Sequence, residues 1–77
     1  MVVKTIVLAK ATTGEPGLIR CYGVLPGDKL LQAIAWSNGD NVTGVFAQVI
    51  PDNDTIVQIK PAPGIECLLL LGREIAE

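Results

Sequence analysis

Between Gly23 and Ile59 the chain runs through three apolar segments hinged at polar corners: GVLPGDKLLQAIAWSNGDNVTGVFAQVIPDNDTIVQI. The corners are Ser37-Asn38-Gly39-Asp40-Asn41 and Pro51-Asp52-Asn53-Asp54. Asn and Asp hydrogen-bond their own backbone and accept unusual φ, while Gly turns without a Cβ to clash. Apolar runs punctuated in this way predict strands of an antiparallel meander. The other segments must then pack on that meander or pair with it.

Taken in order, Val2 to Ala11 reads as a strand. Lys4, Ile6, Leu8 and Lys10 share one face, and Val3, Val7 and Ala9 share the other. Apolar residues on both faces predict cover on both sides for part of its length. Thr12 to Gly17 is loop, and Leu18 to Val24 is a short strand expected beside the first or the last. Leu25-Pro26-Gly27-Asp28 predicts a type II turn, with proline setting φ and glycine accepting a positive one. Lys29 to Ser37 reads as a strand with Leu30, Gln32, Ile34 and Trp36 on one face. The alternative is a short helix over 29–37, capped by Asp28, which would make the fold α+β. Val42 to Ile50 predicts another strand, with Gly44 marking a bulge or a close backbone approach. Thr55 to Lys60 follows, and Pro61 to Gly64 is a stiff corner between sheets. Ile65 to Leu71 is apolar on both faces and predicts a central strand ended by Gly72, with Arg73 to Glu77 as a tail. The fold class is therefore all-β: one small antiparallel sandwich or barrel of about six strands over 1–77.

With 77 residues there is one domain and no second core. Hydrophobic residues make up 49% of the chain, more than so small a body easily hides. Part of that surplus is expected at an interface, with Val2, Val3, Trp36 and Leu68 as candidates and core packing as their competing fate. Six basic and eight acidic residues leave a net charge of −2, and the lysines and arginines form no stripe. Without such a stripe, and with one each of Trp, Tyr and Phe, no nucleic-acid surface is expected. No apolar run is long enough to span a bilayer, and the N-terminus lacks signal-peptide features. The expectation is a soluble protein made in a cytoplasm.

The chain has no histidine, which removes the commonest general base and zinc ligand. Its carboxylates fall at corners (Glu15, Asp28, Asp40, Asp52, Asp54), where Asp is ordinarily a water-exposed turn former. Asp52-Asn53-Asp54 clusters oxygens but lacks the further ligands of a calcium loop. Cys21 and Cys67 match no metal or redox spacing and read as reduced core residues, a single disulfide being the alternative. A lipoyl or biotinyl carrier would need a lysine at a hairpin tip, and neither corner has one. No catalytic residue, cofactor or metal is expected.

The Gly27-Asp28 turn into a strand, the run carrying Phe46 and Ile50, the acidic corner Asp52 to Asp54 and the following Ile56-Val57-Gln58 form a pattern over Gly23 to Leu71. This pattern resembles the small all-β decoration (cement) proteins of tailed-phage capsids. The resemblance implies a non-enzymatic virion protein that clamps a major capsid protein or another virion component as a homo-oligomer, often a trimer. The alternative, from a different class, is a small intracellular module binding a peptide or ligand at a sheet edge or barrel mouth.

Overall fold

The computed structural model describes residues 2–62 and 64–76, with Val2 and Ala76 placed as backbone only. Five strands form: β1 (Val2–Thr12), β2 (Gly17–Arg20), β3 (Lys29–Ala35), β4 (Thr55–Gln58) and β5 (Glu66–Ala76). They make two antiparallel sheets, one of order β1-β5-β3 and one pairing β2 with β4. The fold is all-β, and the segment 29–37 is a strand rather than a helix. The stiff corner at 61–64 does carry the chain from one sheet to the other, although Pro63 lies outside the described residues.

β5 is the central strand, as its apolar faces predict, but it does not stop at Gly72. It continues to Ala76, where Arg73 pairs with Thr5 and Glu74 with Lys4. The expected C-terminal tail is therefore the second half of a long ribbon with β1. Leu18 to Val24 also departs from expectation. Only Gly17–Arg20 is strand, and its partner is β4 rather than the first or last strand.

Val42 to Ile50 is not a strand. Thr43–Val45 is a single 3-10 turn, and the rest bridges the two sheets through scattered bonds. The Leu30 amide donates to the Gln48 carbonyl at 3.0 Å and Val42 to Ala33 at 2.8 Å. On the other side Ala47 donates to Val57 at 2.9 Å and Ile59 to Val45 at 2.7 Å. The segment keeps its apolar pattern by burying Phe46 and Ile50 while its backbone serves two neighbours in turn. Gly44 marks neither a bulge nor a close approach, since a Cβ there would meet only the Lys60 Nζ at 3.9 Å. The Gly23–Ile59 stretch is thus no meander: it supplies one strand to each sheet and a connector between them.

The core lies between the inner face of β1-β5-β3 and the β2-β4 pair. Ala9, Ala11, Leu30, Ala33, Cys67, Leu69 and Leu71 line it from the larger sheet, facing Ile56, Phe46, Ile50, Cys21 and Val24. A register shift between Leu30 and Gln32 sets what β3 buries. The extra residue at this bulge moves Ala33 and Ala35 onto the inner face with Leu30. The expected common face of Leu30, Gln32, Ile34 and Trp36 is split: Leu30 is buried, Ile34 half-buried, Gln32 and Trp36 exposed.

The corners are held by side chains. Gly27 has φ +97 and the Asp28 amide donates to the Leu25 carbonyl at 3.0 Å, as a type II turn requires. Asp54 is the only non-glycine with positive φ (55) among the described residues. It accepts from the Cys21 amide through its carbonyl at 2.9 Å and from the Gly23 amide through Oδ1 at 2.8 Å. Buried Gln58 ties Gly14 and Lys60 to β4: Oε1 accepts from the Gly14 amide, and Nε2 donates to the Gly14 and Lys60 carbonyls. The Thr13 hydroxyl donates to the Ala62 carbonyl and accepts from the Ile65 amide, pinning the 61–64 corner.

A candidate interaction surface

In antiparallel strands, residues directly opposite share a face. On β5 the inward set is Cys67, Leu69 and Leu71, so Leu68, Leu70 and Gly72 look outward. Their partners Leu8 and Ile6 on β1 and Ile34 on β3 look outward with them. Leu31 joins this set, its side chain lying against the Cα of Gly72, where an added Cβ would stand 3.6 Å away. Ile6 is 57% exposed, Leu8 63%, Leu31 56% and Trp36 60%, with Leu68, Leu70 and Ile34 half-buried between them. No described element covers this face. The two-sided cover expected for β1 and β5 is absent: one side of the larger sheet is core, and the other is a largely apolar surface broken by exposed Gln32 opposite Leu70.

Charges rim the surface. Lys4 sits opposite Glu74. The Lys10 ammonium lies 5.0 Å from the centre of the Trp36 ring, having reached across β5 to do so. At one end a hollow of about 310 Å³ is lined by Lys10, Thr12, Arg20, Tyr22, Trp36 and Glu66 among others. Arg20 stacks on Tyr22 there at 5.4 Å. At the other end a wider hollow of about 580 Å³ is lined by Lys4, Ile6, Lys29, Leu31, Arg73 and Glu74 among others.

Of the candidate interface residues, Trp36 and Leu68 lie on this surface, Leu68 opposite Ile34 and Trp36 two residues further along the chain. Val3 does not: its register places it on the opposite side, across from Ile75, where the β1-β5 ribbon extends past β3. The side chain of Val2 lies outside the described residues. Comparisons with family models, curated proteins and solved structures returned no match.

Asp28 and Arg73 fasten the fold, and Cys21 and Cys67 fill its core. Asp28 is 2% exposed, which corrects its reading as a water-exposed corner acid. Arg73 grips both its oxygens, Nε to Oδ1 at 2.8 Å and Nη2 to Oδ2 at 2.7 Å, and the Leu25 amide adds a third bond at 2.9 Å. The hydrogen bonds from Arg73 hold the Asp28 carboxyl below the usual carboxylate range. Cys21 and Cys67 are buried and free. Burial, with the Asp54 charge adding to it, pushes the Cys21 thiol up to about 11; burial also raises Cys67. Among the described residues no three His, Cys, Asp or Glu side chains converge as a metal site would need.

Sequence reasoning reached the surplus of apolar residues and two members of the surface. It missed Ile6, Leu8, Leu31 and Leu70. The signal is the Lys4-Ile6-Leu8-Lys10 alternation, which sets two apolar side chains between lysines on one strand face.

Proposed function

We propose that this protein is a non-enzymatic structural component of a tailed-phage virion. It works as a homo-oligomeric β-module, made in the host cytoplasm, that lies on the capsid and stabilises it by contact with the major capsid protein. The observation that carries this reading is the uncovered apolar face of the β1-β5-β3 sheet. A chain of 77 residues has little core to spare, so leaving Ile6, Leu8, Leu31 and Trp36 in water is costly unless a partner covers them. Burial of this apolar area drives docking, and the contact clamps neighbouring capsid subunits without chemistry. The charged rim of Lys4, Lys10, Glu66 and Glu74 sets orientation more than affinity.

Particles assembled without the protein should lose their contents at lower temperature than complete ones, and added protein should restore them. Recovery of the protein solely as a soluble species, with particles equally robust in its absence, would refute the proposal. A second reading, a small intracellular module that binds a peptide or ligand, draws on the hollow between Tyr22 and Trp36. In that case Tyr22→Ala should abolish binding, whereas on the decoration reading it leaves particle stability unchanged.

A further inference from the structure

The larger sheet has two edges, and they are treated differently. The β3 edge is closed by the 41–49 segment: Lys29 bridges Val49, Ile34 bridges Asn41, and the Thr43 Oγ1 accepts from the Ala33 amide at 2.9 Å. The β1 edge has no such cover along Lys4 to Leu8. Its strand runs eleven residues in unbroken register, with no proline and no bulge. Natural edge strands ordinarily carry such features, or charge, to prevent pairing.

The direction of the free amides follows from bonds on the page. The Trp36 amide donates to the Glu66 carbonyl at 2.9 Å, and the Thr13 amide to the Ile65 carbonyl at 2.8 Å. Because backbone groups alternate in direction, even-numbered β5 residues bond β3 and odd-numbered ones bond β1. On β1 the odd residues are therefore taken, and Lys4, Ile6, Leu8 and Lys10 aim N–H and C=O at the open edge. These residues also carry the apolar outer face.

We propose that the β1 edge pairs antiparallel with β1 of a second copy, with the two-fold axis at Ile6, joining two three-stranded sheets into one of six. The charges allow it. Lys4 already faces Glu74 across the strand, and Lys10 is drawn over Trp36, away from the edge, so the edge presents little net charge to a like strand. The charges and the neighbours of the edge favour this register. An axis at Val7 would set Lys4 of each copy opposite Lys10 of the other, a like-charge pairing that destabilises sheets. An axis at Leu8 would need the edge as far as Thr12, where Arg20 and Tyr22 stand beside it around one hollow. With the axis at Ile6, the Ile6 side chains meet, Leu8 of each copy faces Lys4 of the other, and the two apolar faces become one. The product is a dimer, where the phage resemblance implies a trimer. The pairing does not depend on what the enlarged face docks against.

Light scattering coupled to size exclusion should give twice the 8.1 kDa chain mass at about 100 μM, where a micromolar contact is nearly saturated. Leu8→Pro removes only an outward-pointing amide, a change tolerated at a sheet edge; it should give a folded monomer with its β circular dichroism intact. Leu31→Lys alters the face at an exposed position on β3, with β5 between it and the edge, and should remain dimeric, which separates this proposal from the one above. Should Leu8→Pro fail to fold, Ile6→Cys still decides: air oxidation should link it into a covalent dimer, whereas Val7→Cys, pointing inward, should not link. A wild-type monomer or trimer, a folded Leu8→Pro that stays dimeric, or an Ile6→Cys that does not cross-link would each overturn the proposal.

Discussion

Asp28 accepts hydrogen bonds from the Leu25 amide and from two nitrogens of Arg73, which also donates to the Gly23 carbonyl at 2.8 Å. One ion pair thus fastens the 23–28 turn to the far half of β5. Arg73→Ala strands a buried carboxylate and should cost about 2–4 kcal/mol at neutral pH, since breaking a buried pair costs more than the pair is worth. The pH dependence has a definite sign. The folded carboxyl titrates below its unfolded value near 3.8, so its stabilisation is present above that pH and is lost as pH falls through the lower folded value. Urea unfolding at pH 7 and pH 3 should show the gap between wild type and variant shrinking on acidification. The Cys21 thiol behaves oppositely. Raised from 9.0 to about 11, it stays protonated in the fold while the unfolded thiol ionises. That contribution is complete below pH 9.0 and is lost as pH rises toward the folded value. At pH 8 a thiol-disulfide reagent should leave native Cys21 and Cys67 unmodified and react with both once the chain is denatured. The burial of both cysteines was legible from their apolar neighbours. The Asp28–Arg73 pair was not, because its members lie 45 positions apart and nothing local to Asp28 distinguishes it from a corner acid in water.

Among the elements, those with a strict alternation or a firm turn were legible, and those serving two neighbours were not. β1, β3, β4 and β5 begin within a residue or so of where their patterns place them. The turn at Leu25 to Asp28 and the corner at Pro51 to Asp54 follow from proline, glycine and aspartate chemistry. Two misreadings share a cause. Val42 to Ile50 alternates well enough for a strand, yet its amides and carbonyls divide between β3 and β4. The bulge in β3 changes which residues of a leucine- and alanine-rich run are buried. Burial pattern records side-chain direction, not the destination of backbone hydrogen bonds. Thr43 is where the connector holds β3, since its hydroxyl satisfies the Ala33 amide at 2.9 Å. Thr43→Val keeps the shape and removes that acceptor, leaving the amide of fully buried Ala33 unpaired. A loss of about 1–3 kcal/mol is expected, measurable as a lower urea midpoint, with faster hydrogen exchange at Ala33.

At the scale of the whole molecule, the excess of apolar residues was visible in composition, but its location was not. Part of it lies on one side of one sheet, because β5 carries leucines on both faces and only one face has a layer to pack against. Exposed Val3, Leu18, Tyr22, Leu25, Val49, Ile59 and Ile75 lie elsewhere. The part on the sheet, Ile6, Leu8, Leu31 and Trp36, faces outward between rims of lysine and glutamate. The reading of the protein as a contact module stands or falls on that face. Leu68 belongs to it, half-buried on the middle strand between Lys10 and Ile34 and turned away from the inner core. The most direct test mixes purified wild-type protein or Leu68→Lys with capsids lacking the protein and pelletes the particles. Wild type should sediment with the capsids, and the variant, equally folded, should remain in the supernatant with affinity reduced at least about tenfold, the equivalent of 1.4 kcal/mol. Equal sedimentation of both, or of neither, would contradict the account.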